Sequence, residues 1–260
     1  MNKPLIIFLL FFSFSSFAQN KTINSKHKTE REVSGGHKVL LIPFEPKLYL
    51  GEIDYHINAE TKLTAKEIKN KFRDGLNEQL FKAFKASKYS VLDLMEDTVR
   101  HKRDLEEIYQ HLGYDYQRVP NQENYSPPKK EKEEKKIEKG QIIVETDGER
   151  RFMNAKLDSP KLLVSFFSKY KTDVFIFINQ LDIKSANSAE VNSIGVHSGK
   201  RKISAHYTVY NSEGRELNSG LAEEEFEPEL NNPKKIIEKH FSRIAAVIVS
   251  RVNKSLGSTK

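Results

Sequence analysis

Hydrophobic residues recur at two spacings along the chain, and these spacings predict which segments are strands and which are helices. Residues 38–44 form a continuous apolar run that ends next to prolines, which is typical of a buried strand. Thr64 and Glu67 are three residues apart and form a capping-box pattern that opens a helix. That helix has one apolar stripe at helical spacing, formed by Ile68, Phe72, Leu76, Leu80 and Phe84.

The same patterns continue to residue 118. Residues 89–95 predict a second strand, and residues 97–112 predict a second helix that ends at Gly113. The segment 37–118 is therefore interpreted as a β-α-β-α half of a domain.

The second half begins after a charged stretch. Residues 141–157 predict a hairpin around a turn at 146–149. Ser159 and Pro160 then open a helix. The apolar residues that this helix is expected to bury are Leu163, Phe166, Phe167 and Tyr170.

Three strands and a helix complete this half. Residues 172–185, "TDVFIFINQLDIKS", form the most apolar strand pattern in the chain. Residues 202–210 and 216–226 predict two further strands joined by a tight turn, and their alternation suits a sheet with one covered face. Pro233 opens a final amphipathic helix.

The element order predicts an α/β fold with one mixed sheet packed by amphipathic helices. A β-α-β-α half precedes an α-β-β-β-α half, and a charged linker with a hairpin is inserted between them. The predicted segments are a signal peptide at 1–18, a disordered leader at 19–36, the first half at 37–118, a charged linker at 119–140, the hairpin and second half at 141–256, and a tail at 257–260.

The first residues have the features of an export signal. Lys3 is followed by an apolar run at 5–12, and Ser16 and Ala18 are the small residues that signal peptidase requires, so cleavage is expected after Ala18. The run is shorter than the roughly 20 residues that span a bilayer, and no later segment is long and apolar enough to do so. We expect an exported protein that is periplasmic or extracellular.

The composition of the chain excludes several kinds of catalytic and metal site. The chain contains no cysteine, which excludes disulfides, thiolate metal sites and cysteine nucleophiles. The net charge is +7, but lysines and glutamates are interleaved, and the run 129–140 has six lysines and four glutamates. This distribution argues against nucleic acid as a partner. It favours a solvated linker over a basic binding arm, and anionic envelope polymers or acidic protein surfaces as the partners that charge could attract.

The element order resembles an α/β domain shared by three envelope proteins: the curli-secretion lipoprotein, the N-terminal domain of the Tol translocation protein, and outer-membrane activators of penicillin-binding proteins. The matching stretches are "KVLLIPF", "TDVFIFINQLDI", "KISAHYTVYNSEGREL" and the terminal helix. The resemblance implies a non-catalytic envelope component that docks other proteins. The chain departs from it in lacking a lipidated cysteine and in its long insertion, and no functional residue can be carried across.

One polar cluster lies directly after the first strand. Its members are Tyr49, Glu52, Asp54, Tyr55 and His56. Loops that leave the carboxyl end of a parallel strand commonly bind ligands, and Glu52, Asp54 and His56 have side chains suited to acid–base or metal chemistry. The alternation of these three residues with apolar ones is also typical of an edge strand with one wet face, and we favour that interpretation, a protein-docking edge.

Other catalytic patterns are absent from the sequence. It has no HExxH, no calcium-loop pattern, no GxSxG and no phosphate-loop spacing, so we predict no catalytic residue, metal site or cofactor. The histidines outside the cluster are expected at the surface, and they include His101, His111, His206 and His240.

Three functional hypotheses follow. The leading one is an exported, non-enzymatic adaptor or assembly protein that binds an envelope protein associated with the outer membrane or the peptidoglycan. The second is an exported hydrolase that acts on glycan or peptide through Glu52, Asp54 and His56. The third is a binder of peptidoglycan or another polyanion.

Overall fold

A computed structural model describes residues 36–97, 99–128, 136–138, 141–143, 150–185 and 199–257. Its strands are β1 (Lys38–Ile42), β2 (Tyr49–Gly51), β3 (Ser90–Asp93), β4 (Leu112–Arg118), β5 (Lys136–Glu138), β6 (Gln141–Ile143), β7 (Arg151–Leu157), β8 (Val174–Lys184), β9 (Arg201–Asn211) and β10 (Glu216–Phe226). Its helices are α1 (Asp54–Thr61), α2 (Ala65–Ala86), α3 (Lys102–Gln110), α4 (Lys161–Tyr170), α5 (Pro233–Ile236) and α6 (Ser242–Gly257). A 3₁₀ turn at Pro46–Leu48 precedes β2, and a π-helical turn at Ile237–Phe241 joins α5 to α6.

The central layer is a mixed six-stranded sheet in the order β10-β9-β8-β1-β3, with β2 added beside β8. β1 runs parallel to both β3 and β8, whereas β8, β9 and β10 are antiparallel neighbours. β1 and β2 lie one after the other along β8: β1 pairs with its start, and β2 pairs with Leu181–Ile183. The predicted α/β fold with one mixed sheet is confirmed.

Helices α1, α2, α5 and α6 cover one face of this sheet. Thr64 and Glu67 form the predicted capping box, and the apolar stripe that follows it is fully buried. Gly75 lies on that helix where it meets the π-helical turn, and a Cβ there would lie 2.6–2.8 Å from three side-chain atoms of Ile237. Glycine at 75 therefore permits the close approach of the two helices.

The opposite face is covered by α3, α4 and a ribbon of β4 and β7. The expectation of one covered face on β9 is therefore wrong: Ser204, His206 and Thr208 are buried as well as the apolar residues that alternate with them. α4 forms as predicted and buries Leu163 and Phe166, but its Phe167 is 41% exposed.

The ribbon corrects two predictions. α3 ends at Gln110, and residues 112–118, including Gly113, form β4 instead of ending a helix. β7 pairs with β4, with Leu112 opposite Leu157, whereas β6 pairs with β5. The hairpin predicted within residues 141–157 is therefore replaced by a pairing that spans the insertion, and the predicted turn at 146–149 lies outside the described residues.

The beginning of the predicted linker is part of the folded domain. Gln122 donates from Nε2 to the carbonyl of Ser219 at 2.8 Å, and the hydroxyl of Tyr125 donates to Glu216 at 2.7 Å. Residues 119–128 thus lie along the outer edge of β10, where these side chains satisfy polar groups of an edge strand. The predicted signal peptide at 1–18, most of the predicted leader, residues 129–135 and 139–140 of the linker, and the end of the tail lie outside the described residues. No helix in the described part of the chain has the length and apolar character needed to cross a membrane.

Candidate functional site

The polar cluster lies on β2, the turn after it and the start of α1. β2 is fixed by its pairing with β8, and the backbone N–H of Glu52 donates to the carbonyl of Ile183 at 2.9 Å. The edge-strand interpretation of residues 52–57 is wrong, because α1 begins at Asp54. Ile53 and Ile57 are one helical turn apart and both are fully buried, so a spacing of four residues, and not two, determines the local structure.

Two of the five predicted residues form an internal brace. The hydroxyl of Tyr49 donates to Oδ1 of Asp54 at 2.5 Å, and the Tyr49 ring packs against Phe72 with 6.1 Å between centroids. Burial raises the pKa of Tyr49, and the neighbouring carboxylate adds to the shift. Burial also raises the pKa of Asp54, against the lowering effect of the hydrogen bond from Tyr49. Both residues therefore fix the turn and do not present their polar groups to a partner.

The outward-facing part of the cluster comprises Glu52, Tyr55 and His56. With the exposed neighbour Leu50 they form a surface that we call the docking surface, after the role proposed for it below. Tyr55 is 77% exposed and Leu50 is 53% exposed, so an aromatic and an aliphatic side chain both face outward within six residues of the chain. The rings of Tyr55 and His56 meet edge to face with 5.8 Å between centroids. Leu50 was not among the predicted site residues. No pattern in the sequence singles out Leu50, because the sequence does not predict β2, the three-residue strand that turns this side chain outward.

The three side chains of the hydrolase hypothesis are not brought together by any contact in the described structure. Glu52 accepts a hydrogen bond from the backbone N–H of Ser185 at 3.0 Å, Asp54 is engaged by Tyr49, and His56 is exposed. General acid–base chemistry requires the two groups to reach one substrate. The cluster shows no such pairing.

The crevice at the carboxyl end of β1, where an open α/β sheet often binds its ligand, is occupied by the protein itself. Arg73 of α2 donates from Nε to the carbonyl of Phe44 at 2.8 Å and from Nη2 to the hydroxyl of Tyr109 at 3.1 Å. Tyr109 in turn donates to the carbonyl of Pro43 at 2.7 Å. Burial raises the pKa of Tyr109 to about 12, so it stays a neutral donor. These contacts fix the loop that leads to β2.

A buried histidine–aspartate pair lies between the main sheet and the ribbon. The prediction that His206 lies at the surface is wrong, because it is almost fully buried. The backbone N–H of Met153 donates to its Nδ1 at 2.8 Å, which places the ring proton on Nε2, 3.3 Å from Oδ2 of Asp182. Both ring nitrogens are therefore engaged, and the ring keeps no basic nitrogen for a substrate proton or a metal. Because Met153 belongs to the ribbon, its hydrogen bond to His206 joins the two layers.

His101 and His240 are also buried, contrary to prediction. Nδ1 of His101 lies 2.9 Å from the hydroxyl of Tyr170, and Nδ1 of His240 lies 3.2 Å from Glu224. Burial lowers the pKa of His240, against the opposing effect of Glu224. Among the described residues, no group of three or more histidine and acidic side chains is arranged to hold a metal ion.

Comparison of the chain with protein-family models, with curated proteins and with solved structures finds no match.

Proposed function

We propose that this protein is an exported, non-enzymatic adaptor that binds another protein of the cell envelope through the docking surface. The observation that carries the proposal is the exposure of Tyr55 and Leu50 on a turn that is otherwise fixed by buried contacts. Tyrosine is one of the residue types that most often dominate the binding energy of protein–protein interfaces.

The residues beneath the docking surface hold it in one conformation, which favours binding. β2 is paired with β8, the Tyr49–Asp54 hydrogen bond closes the turn, and Ile53 and Ile57 secure α1 in the core. A surface that is already ordered loses little conformational freedom when a partner docks, so more of its contact energy is available as affinity.

The cellular location and the class of partner rest on the sequence. The export signal at 1–18 and the resemblance to envelope α/β domains support a periplasmic location and a partner associated with the outer membrane or the peptidoglycan. The hydrolase alternative has less support, because Glu52, Asp54 and His56 make separate contacts and the crevice beside β1 is filled by Arg73.

The test is affinity purification after crosslinking in intact producing cells, with the tagged mature chain as bait. We expect one envelope protein to co-purify, and its recovery to fall at least about tenfold in a Leu50→Ser, Tyr55→Ala variant, because anchor residues contribute most of an interface's binding energy. Phe167→Ala is the matched control, since it removes an exposed aromatic from α4. Equal recovery of the partner by both variants would contradict the proposal.

A further inference from the structure

A second surface of the protein forms a polar cleft. It lies between residues 122–127, the start of β10 and the last turns of α6, and has a volume of about 390 Å³. The side chains used below are those of Gln122, Tyr125, Arg215, Glu216 and Arg251. Clefts of this volume fall within the usual range for small-molecule sites.

The outer wall of the cleft is fixed by hydrogen bonds at several points. Gln122 and Tyr125 both contact β10, and Tyr125 also lies 3.1 Å from the hydroxyl of Ser219. Nζ of Lys254 donates to the carbonyl of Glu123 at 2.9 Å, which ties the segment to α6. The cleft is therefore formed before any ligand arrives.

Two carboxylates line the cleft, Glu123, which is exposed to solvent, and Glu216, which is already paired. Glu216 accepts the Tyr125 hydroxyl and lies 3.1 Å from Nζ of Lys156, and its side chain is only 8% exposed. An anion in the cleft therefore meets little repulsion from Glu216, because this charge is paired and largely screened from it.

Two arginine side chains bring positive charge and hydrogen-bond donors to the cleft. Nη1 of Arg251 makes both of the hydrogen bonds that anchor this side chain, to the hydroxyl of Tyr207 at 3.2 Å and to the carbonyl of Leu221 at 2.8 Å. The Nε and Nη2 donors of the guanidinium make no hydrogen bond within the described structure. Arg215 lines the same cleft from the start of β10 and is exposed. A planar guanidinium with two donors on one edge is suited to binding a carboxylate in a bidentate manner.

We propose that this cleft binds a small organic carboxylate, which pairs with the guanidinium groups of Arg251 and Arg215. Sugar acids and short peptides share this chemistry, and the cleft has room for one sugar ring or about two amino-acid residues.

The test is calorimetric titration of the mature full-length chain with galacturonate and with the dipeptide alanyl-alanine. Galactose and alanyl-alanine amide are the controls that lack the carboxylate. We expect saturable binding of at least one carboxylate and none of the matching compound that lacks the carboxylate. Stronger binding of galacturonate assigns the site to sugar acids, and stronger binding of the dipeptide assigns it to peptides.

Substitution of the arginines locates the binding. Arg215→Gln and Arg251→Gln should each weaken it at least about tenfold, because each removes a charge-assisted hydrogen bond. Arg103→Gln on α3 is the matched control and should leave affinity unchanged. Arg251 also anchors β10, so Arg215→Gln, which removes a side chain with no described contact, decides the result if Arg251→Gln is unstable.

Two results would overturn the proposal: no saturable binding of either carboxylate at millimolar concentration, or unchanged affinity in Arg215→Gln. The cleft does not include the docking surface, so a Tyr55→Ala variant should bind the carboxylate normally. The two proposals can therefore fail separately.

Discussion

The Tyr49–Asp54 brace requires that residue 51 have no side chain. A Cβ on Gly51 would lie 2.3 Å from the hydroxyl oxygen of Tyr49 and 2.3 Å from Oδ1 of Asp54. Both distances are far inside van der Waals contact, so Gly51→Ala must open the hydrogen bond. A hydrogen bond to a charged group contributes about 1.5–3 kcal/mol to stability. The alanine offsets about 0.4–1 kcal/mol of this loss, because it reduces the conformational freedom of the unfolded chain. Because Asp54 is only half-buried, we expect a net loss of about 1 kcal/mol in the free energy of unfolding.

Urea unfolding of the mature chain measures this effect. The informative comparison is the same Gly51→Ala change in a Tyr49→Ala background. There the hydroxyl and ring that the new Cβ would meet are gone, and the Asp54 carboxylate, released from its hydrogen bond to Tyr49, can rotate away from the Cβ. There the alanine should be neutral or should stabilise the protein by up to about 1 kcal/mol. The reasoning is refuted if Gly51→Ala has the same cost in both backgrounds, or no cost in the wild type.

Two further predictions concern the packing of α2 against the π-helical turn and the stability of the protein in acid. Gly75→Ala should destabilise the protein by about 1–3 kcal/mol because Ile237 fills the space that the new Cβ needs. In an Ile237→Ala background the same change should stabilise α2 by up to about 1 kcal/mol through helix propensity. Urea midpoints that shift in the same direction in both backgrounds would contradict the contact between Gly75 and Ile237. Burial opposes ionisation of Asp104, but hydrogen bonds from Lys169 and Tyr170 outweigh it and lower its pKa. Its contribution to stability is therefore present above about pH 4, the pKa of an unperturbed aspartate, and is lost as the pH falls through the lower folded value. Asp104→Asn should be less stable than the wild type at neutral pH, and the difference in melting temperature should shrink in acid; a difference independent of pH would contradict this.

Patterns that depend on neighbouring residues could be read from the sequence. The apolar run of β1, the capping box of α2 and the turn between β9 and β10 are each determined within about ten residues, and all three occur as predicted. The covered second face of the sheet could not be read in this way. β7 pairs with β4 across more than thirty residues, and the polar side chains of Ser204, His206 and Thr208 resemble a wet face until the ribbon is placed over them.

The local structure of the polar cluster at residues 49–56 could not be read from its sequence. The spacing of Ile53 and Ile57 indicates a helix, yet the neighbouring polar residues also alternate with period two over the same short stretch, and periodicity over six residues cannot separate these alternatives. The inward direction of Tyr49 depends on Phe72 and on the space at Gly51, which are properties of the folded structure.

The most direct measurement of the central claim is site-specific photocrosslinking in intact cells. A photoreactive phenylalanine analogue is placed at position 55 in one strain and at position 167 in another, since both native side chains are exposed aromatics. The docking surface predicts a single discrete adduct with an envelope protein from position 55 and none from position 167. The absence of an adduct at position 55, or the same adduct at both positions, would contradict it.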